Sequence, residues 1–76
     1  MTEKAILPSM SSLYDPVSPT LWYIGSSGSG TATSAALWQI SRLTFDGSGN
    51  ITSQKWADGN SNLDNVWDDR ASLTYT

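Results

Sequence analysis

The chain has 76 residues, four Lys and Arg against seven Asp and Glu, and neither cysteine nor histidine. One small domain is all that length allows, and the missing side chains exclude disulfide staples, thiol nucleophiles, imidazole bases and the usual zinc ligands. The net charge of −3 argues against a nucleic-acid partner, and no apolar run approaches the roughly 20 residues of a membrane span.

Residues 1–20 carry Pro8, Pro16 and Pro19. Proline locks φ and pushes the preceding residue toward extended backbone, so an extended N-terminal arm is expected here, with Leu7, Leu13 and Tyr14 as anchors. A frayed terminus in the isolated chain is the alternative. Ala5-Ile6-Leu7 before Pro8 is too short an apolar stretch for a signal peptide. Residues 21–76 form the expected β domain. Leu21-Trp22-Tyr23-Ile24 reads as a short strand stopped by Gly25, and residues 25–34, with no side chain larger than threonine, read as a loop.

Residues 35–45 alternate as a strand does, with Trp38, Ile40 and Arg42 set against Leu37, Gln39, Ser41, Leu43 and Phe45. The apolar set changes sides between Ile40 and Leu43, which predicts a twist or bulge. Asp46-Gly47-Ser48-Gly49-Asn50 is a run of turn formers, and residues 51–57 resume the strand pattern, which makes a β-hairpin. A second turn follows at Asp58-Gly59-Asn60. Residues 62–70 place Leu63, Val66 and Trp67 at helical spacing, giving one helical turn or an irregular loop. Residues 71–76 alternate as a terminal strand. The class is all-β: a small antiparallel, sandwich-like sheet of about four strands whose second face or edges want covering. The expected core is Trp22, Ile24, Trp38, Ile40, Trp56, Val66, Trp67, Leu73 and Tyr75.

The candidate chemistry is sparse. Asp46, Ser48 and Asn50 are spaced like the first ligands of a calcium loop, as are Asp58, Asn60 and Asn62. Neither series has both the glycine and the glutamate that such a loop needs, and turn formation explains both. Asp64, Asp68 and Asp69 are close in sequence, as the acids of a glycosidase can be. A thin 76-residue layer offers little room for a sugar cleft, and Arg70 beside Asp68 and Asp69 suggests an ion pair that ties the 58–70 loop down. The Gly25–Gly30 stretch lacks the lysine of a phosphate-binding loop. Trp22, Tyr23, Trp38, Trp56, Trp67 and Tyr75 are either core or a stacking platform for sugars. No catalytic residue, metal, cofactor or small-molecule substrate is expected.

The blocks Trp22-Tyr23-Ile24-Gly25, Gly30-Thr31-Ala32-Thr33-Ser34, Trp38-Gln39-Ile40, Trp56-Ala57-Asp58-Gly59-Asn60 and Val66-Trp67-Asp68-Asp69-Arg70-Ala71-Ser72-Leu73 span residues 22–75. In this pattern the chain resembles short virion proteins of tailed bacteriophages. The resemblance implies a non-enzymatic structural protein in the virion, at the tail, neck or capsid surface, with copies of itself and other virion chains as partners. Size points the same way. A chain this short buries only about 60% of its unfolded surface, so companions are expected to complete it. A carbohydrate or host-surface binding module using exposed aromatics is the alternative.

Overall fold

The computed structural model describes residues 10–76. Four strands follow one another as an antiparallel meander: β1 (Met10–Ser18), β2 (Leu21–Gly28), β3 (Ala36–Phe45) and β4 (Ile51–Trp56). A two-residue strand β5 (Asn65–Val66) pairs with the start of β3, and a 3₁₀ helix (Trp67–Ser72) follows it. The architecture is the expected all-β antiparallel sheet.

Three elements differ from expectation. The half of the predicted arm that lies within the described residues is strand β1, registered against β2 from Met10↔Gly28 to Ser18↔Leu21. Residues 1–9, with the proposed anchor Leu7, lie outside the described residues. Proline suits this strand because, among the described residues, β1 is an edge with no further strand to need the missing N–H of Pro16. Second, β2 does not stop at Gly25 but runs on to Gly28. Its small residues hold there by hydroxyl bonding: Ser27 Oγ donates to the Leu37 carbonyl at 2.6 Å, and Ser12 and Ser26 hydroxyls meet across the pair at 3.2 Å. Third, residues 71–76 form no strand. The 3₁₀ helix runs to Ser72, and Tyr75 makes a single bridge to Ala57. The β3–β4 hairpin is present, with an irregularity between Thr44 and Phe45.

Register fixes the two faces of the sheet, because residues directly opposite one another point the same way. Leu13, Gly25 and Ile40 share one face, as do Asp15, Tyr23, Arg42 and Lys55 one row away. The chain after β4 folds back over this face. Trp67 lies against Trp38 with ring centroids 6.1 Å apart, and Tyr75 lies against Tyr23 at 5.6 Å. Ile40 is fully buried and Trp38 is 2% exposed, while Leu13, Leu21 and Leu73 pack at the margin.

Gly25 makes this closure possible. A Cβ built there would sit 2.5 Å from Cε3 of Trp67 and 3.4 Å from Cε3 of Trp38. The glycine is thus a point of close approach inside the strand. Gly25→Ala is expected to lower stability in urea denaturation by about 1–3 kcal/mol through overpacking. Gly47→Ala, where the added methyl meets nothing within 4 Å, should leave it nearly unchanged.

Candidate functional site: the uncovered face of the sheet

The opposite face carries a different set of residues. Tyr14, Ile24, Ser41 and Trp56 make one row across all four strands, and Pro16, Trp22, Leu43 and Gln54 make the next. Phe45 stands diagonal to Trp22, with ring centroids 5.9 Å apart and planes tilted by 59°. No element of the described chain folds over these residues. Tyr14 is 61% exposed, and Trp22, Ile24, Leu43, Phe45 and Trp56 are half-buried. Ser41 is the exception. It is buried between the larger Ile24 and Trp56, and its hydroxyl accepts from Gln54 Nε2 at 3.3 Å.

The expected core therefore divides. Trp38, Ile40, Trp67 and Tyr75 are buried under the C-terminal segment, joined by Tyr23 and Ala57, which were not in the expected set. Val66 and Leu73 are half-buried at its border. Trp22, Ile24 and Trp56 belong to the open face. The six aromatics weighed as a platform divide the same way, and Tyr14 and Phe45 complete the exposed group. Strict alternation of side chains separates Trp22 from Tyr23, a signal present in the sequence once residue 25 is recognised as mid-strand.

Charge is also sorted by face. Asp15, Arg42 and Lys55 lie on the covered side, and Arg70 reaches Asp15 there, Nε to Oδ2 at 2.9 Å. Asp46, Asp58, Asp64, Asp68 and Asp69 lie in turns or the 3₁₀ segment. The rows of the open face hold no charged side chain.

Arg70 forms its ion pair with Asp15 on β1 rather than with Asp68 or Asp69. It also stacks on Trp67, with Cζ 4.5 Å from the ring centroid, and donates to the Trp67 carbonyl at 3.1 Å. Asp68 contributes through its backbone N–H, which donates to the Thr33 carbonyl at 3.1 Å. The carboxylates of Asp68 and Asp69 point from exposed positions, because three residues per turn let only one side of the helix face the sheet. Arg42 lies opposite Lys55, a like-charged pair that is unfavourable by itself. Its guanidinium rests over the Tyr75 ring at 5.0 Å, a cation–π contact that offsets the repulsion.

The two Asp/Asn-rich loops are held by their own turn bonds. Asp46 Oδ1 accepts from the N–H groups of Ser48 and Asn50, each at 2.9 Å, and Oδ2 from Asn50 Nδ2 at 3.3 Å. These bonds, those from Asn50 foremost, hold the carboxyl below its usual range. In the other loop Asn60 Oδ1 accepts from the Asn62 N–H at 2.9 Å. Among the described residues no three His, Cys, Asp or Glu side chains gather as a metal site, and no cavity is enclosed. The chain matches no protein-family model, no curated protein and no solved structure.

The covered face has a titratable lock. Tyr75 Oη donates to the Arg70 carbonyl at 2.7 Å, and burial, assisted by neighbouring Tyr23, pushes the phenol up to about 12 from 10.0. The folded chain thus keeps a proton that the unfolded chain loses first. The stability this confers is complete below pH 10 and is lost as pH rises toward 12. Tyr75→Phe is expected to cost about 1 kcal/mol at neutral pH and to flatten the fall in thermal midpoint between pH 10 and 12.

Proposed function

We propose that the chain is a non-enzymatic structural protein of a tailed-bacteriophage virion, working by assembly with copies of itself and other virion chains. One observation carries this reading: the described residues cover one face of the sheet and leave the other, rich in aromatic and aliphatic side chains and free of charge in its two central rows, without a covering element. Such a face costs free energy in water and is stabilised when another surface removes it from solvent. The likeness of residues 22–75 to short virion proteins supports the kind of assembly. Tail, neck and capsid surface all repeat one subunit many times, and repetition supplies buried area that one small copy lacks.

Exposed Tyr14 on the same face as Trp22 and Trp56 favours a second reading, a module that stacks on glycans of a host surface. The tilt between Trp22 and Phe45 argues against it, since these rings brace each other instead of lying in one plane.

Particles of the phage that encodes the chain, banded on a density gradient and analysed by quantitative mass spectrometry, are expected to contain it at a fixed ratio to the major capsid protein. Its confinement to the unassembled fraction would reject the virion role. Tryptophan emission that shifts on adding oligosaccharides to the purified chain would favour the glycan reading.

A further inference from the structure

Resting on the reading that this molecule works by assembly, we infer that the uncovered face is occupied by the same face of a second copy, two sheets closing into an eight-stranded β-sandwich. Charge argues for a copy over any other occupant. The rows from Tyr14 to Trp56 and from Pro16 to Gln54 contain no ionisable group other than the Tyr14 phenol. A partner recognised by charge has nothing to pair with, whereas a neutral apolar face set against itself strands no ion.

Geometry agrees. Strands about 4.8 Å apart and residues about 3.3 Å apart give four strands of six to ten residues a face of roughly 500 Å². Pairing two such faces buries on the order of 1,000 Å², the lower limit for a specific interface. The dimer is accordingly concentration-dependent. A glycan would cover only a few rings and leave the rest wet.

Stacked sheets pack about 10 Å apart with side chains interdigitated. A twofold axis through the centre of the face runs close to Ile24, Ser41 and Leu43, so Leu43 approaches its own counterpart. Both copies keep their C-terminal segments on the outside, clear of the contact.

Sedimentation velocity of the full chain over a wide concentration range tests the pairing. The wild-type chain is expected to pass from monomer to dimer and stop there. Leu43→Lys places an unpaired charge at the centre and should weaken association by on the order of a hundredfold. Gln54→Glu, at an exposed strand position that tolerates charge without unfolding, should weaken it too. Leu63→Lys, exposed in the loop outside these two rows, should behave as wild type. A wild-type chain that stays monomeric, one that grows beyond dimers, or Leu43→Lys and Gln54→Glu chains that dimerise as wild type would each overturn the pairing. The virion reading fails separately: a chain that dimerises through this face but is missing from particles keeps the sandwich and loses the virion. One that is monomeric in solution yet present in particles does the reverse.

Discussion

The contact on which this structure depends is the Trp67 ring laid over the bare backbone of Gly25, with Trp38 beside it. A sheet of four strands has two faces, and among the described residues the last twenty are the ones that fold over one of them. Trp67 decides which face they cover. Once the indole is seated, the 3₁₀ turn brings Arg70 to Asp15 on the far strand, and Tyr75 swings back over Tyr23 and Arg42. Each later contact is placed by the first, so a methyl group at residue 25 disturbs them together.

Closing one face opens the question of the other. The side with Trp22, Ile24, Leu43, Phe45 and Trp56 is as aromatic as the core, yet no element of the described residues folds over it. The chain spends its charges elsewhere. Asp15 and Arg70 bind the covering segment, Arg42 is absorbed by Tyr75, and the remaining acids in the described residues lie in turns or the 3₁₀ segment. This sorting separates the charged positions from an uncharged, apolar-rich face, and it is the physical basis for reading the molecule as a part of something larger.

The strands were largely legible in the sequence. The Asp46–Asn50 run could only be a turn, and the flanking alternation made the β3–β4 hairpin the direct consequence. The Asp/Asn spacings serve turn bonds: Asp46 accepts from backbone N–H groups two and four residues on, and Asn60 from one two residues on. The second half of β2 was not legible. Gly-Ser-Ser-Gly has a loop's composition, and it is strand only because β1 and Leu37 supply partners from positions 10 to 18 residues away. For the same reason an arm with three prolines hid an edge strand. From the sequence Arg70 is expected to pair with the acids beside it, Asp68 or Asp69, but its acid is Asp15 on β1, 55 positions earlier.

Local pattern, then, settled what depends on neighbours in sequence: the all-β class, the hairpin, the turns, and the set of large apolar residues. Which of those residues form the core was decided only in three dimensions. Alternation assigns Trp22 and Tyr23 to opposite sides but cannot say which side the C-terminal segment will choose. That choice came from one site where the sheet has no side chain to stand in the way of an indole.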